Sequence, residues 1–159
     1  MRKLQTIFFG GAIAMAAAIA APALLAAQDA AATIKQRQET MKQLGGHMKA
    51  INEFVESGNG SAEDVAARAA SIQQVAAKIP ELFPEGTSMD DGIGKTGAKP
   101  AIWAEWSKFQ DAAKNMGEEA GTLASVAATG DRDAIGVQFA ALGKQGCGGC
   151  HTPFRQKLD

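Results

Sequence analysis

The chain has 159 residues, 16 Lys plus Arg against 17 Asp plus Glu, and only two cysteines and two histidines. A net charge of −1 supplies neither the basic stripe that nucleic acid requires nor a polybasic membrane patch. The length suits one domain rather than two.

Residues 1–27 open with Arg2 and Lys3, continue as an apolar stretch from Ile7 to about Leu25, and end on the small residues Ala26 and Ala27. That order is a secretory signal peptide. The stretch is rich in Ala and Gly, contains Pro22 and has a single basic cluster, which favours cleavage after Ala27 over retention as an anchor. Residues 28–159 then form one domain with 14 basic and 17 acidic residues, a net of about −3. It has no further apolar run long enough to span a bilayer, so no stable membrane insertion is expected after signal removal. In a Gram-negative host the mature protein would be periplasmic.

The body of the chain reads as four helices. In helix one, from about Ala31 to Glu56, Ile34, Arg37, Met41, Leu44, Met48, Ile51 and Val55 recur three and four residues apart, a helical seam. Ser61 opens helix two, with Asp64 as capping partner; Val65, Ala69, Ile72 and Val75 carry it to Ile79, and Pro80 ends it. Helix three starts at Pro100, lines up Ile102, Trp106, Phe109, Ala113, Met116, Ala120 and Leu123, and stops at Gly130. Asp131 caps helix four, which buries Ile135, Phe139, Leu142 and Phe154. Short links at 57–60 and at 130 favour antiparallel neighbours, so the expected fold is an all-α antiparallel four-helix bundle. The connection from Glu81 to Lys99 is long, and Leu82 and Phe83 should tuck it in, either as a plug for the core or in contact with a cofactor. Helices one and two have moderately apolar outer faces, as Ile51, Phe54 and Val55 hint, though no more so than an ordinary surface.

Helix four carries the most specific motif, Cys147-Gly148-Gly149-Cys150-His151. Cys-x-x-Cys-His is the attachment pattern of haem c. On a helix, positions i, i+3 and i+4 share one face, so two thiols can add across the vinyl groups of a porphyrin while the imidazole ligates its iron. Zinc would want four ligands at closer spacing than His47 provides. A thioredoxin-like pair would follow a strand and open a helix, whereas this motif closes the protein.

Arg37 is an anomaly, a guanidinium in a register that is otherwise apolar. A buried guanidinium needs an anion, and haem brings two propionates; the alternative is that Arg37 snorkels into water from the first helical turn. Met41 lies one turn later on the same stripe, placed to reach the haem face opposite His151 as an iron ligand or as a soft apolar lid. His47 points away from the seam. Trp103 and Trp106 read as core or bundle-surface aromatics.

With this motif on the fourth helix of an exported bundle, the sequence resembles the class II c-type cytochromes, the cytochrome c′ family. The likeness rests on Arg37-Gln38, the segment Leu82-Phe83-Pro84-Glu85-Gly86-Thr87, Lys95-Thr96 followed by Ala101-Ile102-Trp103, and the terminal motif with Phe154-Arg155. The resemblance implies that Arg37, Gln38, Thr96 and Gly97 line the haem pocket and that Arg155 flanks the proximal ligand His151. It also implies a left-handed bundle and frequently a homodimer. Two functions follow from it: an electron carrier serving periplasmic redox partners, or a five-coordinate protein that binds nitric oxide or carbon monoxide. No general-base constellation points to an enzyme. Replacing Cys147 and Cys150 by Ala is expected to abolish covalent haem, so that acid–acetone extraction of the double variant strips all colour; retained haem would contradict the attachment.

Overall fold

A computed structural model describes residues 20–158, with side chains placed from residue 27. The expected signal peptide therefore lies largely outside the described residues. Among the described residues the chain is helical, with α1 (Ala20–Ser57), α2 (Ala62–Ala76), a 3-10 turn (Ile79–Leu82), α3 (Ala101–Ala104), α4 (Trp106–Ala127), α5 (Arg132–Ala141), a π-helical segment (Leu142–Cys147) and α6 (Gly148–Phe154). The long helices form the expected antiparallel four-helix bundle, with α3–α4 as its third member and α5–π–α6 as its fourth. No described helix is long and apolar enough to cross a membrane.

The ends follow local chemistry. Ser61 is extended and its Oγ accepts from Asp64 N at 3.1 Å, which starts α2. Asp131 does the same for α5, its Oδ1 accepting from the amides of Asp133 and Ala134. Gly130, at φ +74°, supplies the left-handed turn between α4 and α5.

Helix α2 packs most extensively against α4. Small residues set that approach: Ala69 and Ala76 on α2 and Ala113 and Ala120 on α4 are all buried, and Ile72, Met116 and Leu123 fill the spaces between them. From α1 the core takes Ile34, Leu44, Ile51 and Phe54. Ile51 and Phe54 are 0% and 9% exposed and Val55 is partly buried against the core, so the three residues expected to mark an apolar outer face on helix one serve the core instead.

The elements depart from expectation in three further places. Helix α1 begins at Ala20 rather than Ala31, because the alanine-rich stretch before the seam has the highest helix propensity available. The expected third helix is broken at Glu105 (φ −121°, ψ 44°), and in the short α3 that precedes the break Trp103 donates its indole N–H to Phe83 O at 3.0 Å. The expected fourth helix widens into a π turn just before the cysteines. Asn115 of α4 donates to Gln145 O within that turn at 3.1 Å. Gly146 is buried there, and a Cβ on it would stand 3.2 Å from Met116 Cα and 2.9 Å from Leu142 Cδ1, so glycine allows the widened turn to lie against α4.

Past α6 the chain becomes extended at Arg155 and pairs with the end of the long connection. Lys99 N donates to Phe154 O at 3.0 Å and Gln156 N to Gly97 O at 2.7 Å, flanking an antiparallel bridge between Ala98 and Arg155. Ala98 O in turn accepts from Met89 N at 2.8 Å. This clasp admits no side chain at position 97, where a Cβ would collide with the carbonyl oxygen of Gln156. Gly97→Ala is expected to open it, raising hydrogen exchange at Gln156 N–H and Lys99 N–H at least tenfold while core α4 amides stay protected. Unchanged exchange at both amides would show that the clasp contributes nothing to local stability.

Candidate functional site

Arg37 is 4% exposed, so it does not snorkel. Its Nε donates to Leu82 O at 3.0 Å, Nη1 to Thr87 O at 3.2 Å and to Thr96 Oγ1 at 3.4 Å, and Nη2 to Thr87 Oγ1 at 2.6 Å. The Phe83 ring lies under the guanidinium, 4.1 Å from its carbon. Every one of these partners is neutral, and among the described residues no carboxylate pairs with Arg37. A guanidinium has five N–H donors and these bonds use four, leaving one on Nη2. Burial without an anion lowers its pKa to about 10.

The clamp around Arg37 is itself fixed. Thr87 is fully buried, and its hydroxyl donates to Pro84 O at 2.7 Å while accepting from Arg37. Thr96 Oγ1 also accepts from Ala98 N at 3.3 Å. Next along α1, Gln38 Nε2 donates to Lys95 O at 2.6 Å. The long connection is thus fastened to α1 by polar contacts and to the tail of the chain by the clasp. Nothing in the sequence marked Thr87 as the principal acceptor, since a threonine in a loop has many ordinary uses.

These groups border a cavity of about 500 Å³. One wall is α1, contributing Arg37, Gln38, Met41, Lys42 and Gly45; the opposite wall is α6 and the tail, contributing Cys150, His151, Phe154 and Arg155 through Leu158. Phe83, Ile102 and Phe109 form an apolar floor, with Phe109 edge-on to both Phe83 (4.7 Å) and Phe154 (5.5 Å). Thr96, Gly97 and Ala98 complete the rim. Of the residues singled out in the sequence, Arg37, Gln38, Met41, Phe83, Thr96, Gly97, Cys150, His151 and Arg155 therefore meet at one cavity. Cys147 sits one turn before His151 at the head of α6, half-buried, outside the lining. Gly97 takes part through its backbone alone. Phe83 lies between the two expectations for it, being both core and cavity floor. His47 stands apart, its Nδ1 buried without a hydrogen-bond partner.

The electrostatics of the motif suit thiol and imidazole chemistry. Desolvation raises the pKa of Cys147, and desolvation together with Cys147 raises that of Cys150 to about 11, so both are thiols at neutral pH. Desolvation and the charge of Arg155 hold His151 below the ordinary histidine value, which keeps its imidazole neutral, the form that ligates a metal. Among the described residues no cluster of His, Cys, Asp and Glu forms a separate metal site. The cavity fits a flat apolar macrocycle bearing carboxylates: its floor is aromatic, one wall carries the cysteine and histidine of the motif, and the other holds a buried guanidinium with a spare donor and no anion.

Comparison with known proteins agrees with this construction. The sequence model described as Cytochrome C' matches residues 32–155. Cytochrome c′ of Rhodospirillum rubrum is 36% identical over 143 residues, covering 90% of this chain and 95% of that protein. Cytochrome c-556 of Agrobacterium tumefaciens (strain II Chrys) is 32% identical, covering 80% and 99%. Among solved structures, cytochrome c′ from Thermochromatium tepidum superposes with a TM-score of 0.72 at 29% identity, over 80% of this chain and 97% of that one. The protein belongs to the cytochrome c′ family and carries haem c, joined covalently through its two cysteines, Cys147 and Cys150.

Proposed function

We propose that the protein is a periplasmic electron carrier whose haem is held by His151 from α6 and anchored by Arg37 from α1. Haem supplies a one-electron couple at its iron and, where an axial position is open, a site for a diatomic gas. The observation that carries the reading is the buried, anion-free guanidinium at the cavity wall. A propionate at its spare N–H would turn a costly buried charge into a charge-assisted pair.

The chain's other residues then divide the work. Neutral His151 offers a nitrogen to the iron, with Arg155 one turn beyond it. Gln38, Thr96 and the backbone of Gly97 close the polar rim, and Phe83 excludes water beneath it. His151 and Arg155 are exposed, so the motif's edge of the site faces solvent, where a redox partner protein can approach. The exported location rests on the amino-terminal sequence and on the relatives' likeness. The same reading makes the protein a carrier rather than an enzyme.

A second reading is favoured by Gly45. It lines the cavity one turn after Met41, and a Cβ there would meet nothing within 4 Å. Met41 is only half-buried, so its flexible thioether has room to stand aside and admit nitric oxide or carbon monoxide. Nitric oxide complexes of two point mutants of cytochrome c prime from Alcaligenes xylosoxidans share the fold at 23% identity. A solved cytochrome c′ at 30% identity and TM-score 0.72 is described as having ligand-controlled dimer dissociation, which makes a homodimer part of this reading.

Optical spectra separate the two. Sharp, split α and β bands in the reduced protein with no response to carbon monoxide would assign Met41 as ligand and the protein as a dedicated carrier. Merged bands that shift on adding carbon monoxide would assign an open position and the gas-binding function. Separately, Arg37→Met is expected to lower the unfolding free energy of the haem-loaded protein by about 1–3 kcal/mol for the acceptors left unpaired, read by guanidinium denaturation. An unchanged midpoint and slope would remove Arg37 from its anchoring role.

A further inference from the structure

The cavity mouth is charged against the sense of the whole molecule. Residues 28–159 have a net charge of about −3, yet the lining contains the cations Arg37, Lys42 and Arg155 and no Asp or Glu. Lys99 and Lys157 follow Ala98 and Gln156, which line the rim and are joined through the clasp. From Ala134 to Asp159 the chain has Lys144, Arg155 and Lys157 against a single acidic side chain, that of Asp159.

Pairing sharpens the contrast. Four lysines elsewhere on the bundle meet a carboxylate three or four residues away, Lys35 with Glu39, Lys49 with Glu53, Lys114 with Glu118 and Lys108 with Glu105, while Lys78 and Lys144 make no ion pair among the described residues. Among the described residues Lys42, Lys99, Arg155 and Lys157 have no carboxylate within ion-pair distance. Helical neighbours thus offset much of the positive charge on the outer faces, whereas none of the four cations around the mouth is offset in this way. Arg37 is buried and committed to the cofactor's carboxylates, so the outward field rests on the other four. Among the described residues the large apolar side chains exposed near the mouth are Leu158 and Met89, each at 38%, two isolated groups that give a lipid surface little to hold and favour a polar, acidic protein face.

Resting on the electron-carrier reading above, we infer that the cavity mouth is the docking surface for a redox partner with an acidic face, steered by Lys42, Lys99, Arg155 and Lys157. In such an encounter one electron leaves the reduced iron for the partner, and no bond is made or broken in the chain. The local field rather than the net charge then sets the encounter rate.

Small charged reagents read that field directly. The haem-loaded protein, reduced, is mixed with ferricyanide, an anion that takes one electron and becomes ferrocyanide, and in parallel with the cationic tris(phenanthroline)cobalt(III), which is likewise reduced by one electron. Both rates are followed from about 10 mM to 0.5 M salt, a range over which screening becomes nearly complete. The expected result is a ferricyanide rate that falls about tenfold and a cobalt rate that rises, although the net charge of the chain predicts the reverse. In Lys99→Glu/Lys157→Glu the ferricyanide slope should flatten or invert. Exchange with both reagents but with slopes following the net charge would overturn the docking surface and leave the carrier reading standing. No exchange with either would overturn both. Binding to anionic phosphatidylserine vesicles that disappears in the double variant, with reagent slopes unaltered, would give the patch to a lipid surface and overturn the proposal.

Discussion

A single buried guanidinium organises the functional half of this molecule. Arg37 stands in the seam of α1 where the helical register demands an apolar side chain, and it is tolerated because three loop oxygen-bearing residues, Leu82, Thr87 and Thr96, bring it four acceptors. Removing a cation from water is expensive, and neutral dipoles offset the cost only in part. What they accomplish is positional: the long connection between α2 and α3 is drawn onto α1 and acquires a shape. Phe83 is laid beneath the guanidinium and locked from the other side by the indole of Trp103. The cavity floor, the polar rim and the clasp with the tail all inherit their positions from that fastening.

The aromatic cluster and the clamp do complementary work. Phe83, Phe109, Trp106 and Phe154 bring ring edges and faces together from the 3-10 turn, α4 and α6, giving a stiff apolar base that does not collapse when polar groups above it bind a charged ligand. The small-residue contact between α2 and α4 supplies rigidity behind that base. Buried charge is therefore concentrated on one side of the bundle, and small-residue packing on the other.

Long helices and the attachment motif were legible because both repeat or space their residues in a way that only one geometry satisfies. Ile34, Leu44 and Ile51 keep a helical period, and Cys147, Cys150 and His151 share a helical face. Arg37 was legible as an exception to a pattern. What escaped was carried by the backbone. The clasp at residues 97–99 and 154–156 uses amides and carbonyls that every residue possesses, so neither strand announces it. The π turn from Leu142 to Cys147 arises from packing against α4, where Gly146 permits an approach that no local propensity encodes. Thr87 was hidden because its value lies in total burial, which an irregular connection does not advertise. Phe54 was misread as part of an outer face because a narrow seam was drawn where the bundle buries a broader stripe.

The clasp also bears on the order of folding. Its two strands are separated in sequence by α3, α4 and α5 and by most of α6. A pairing so distant in sequence forms after the local helices, since it must first close the intervening loop. Until it closes, the wall that carries Cys150 and His151 rests on its packing against α3 and α4 and lacks the backbone bonds that tie its far end to the long connection. A macrocycle joined to the two thiols would meet an open rim before that closure and a completed one after it.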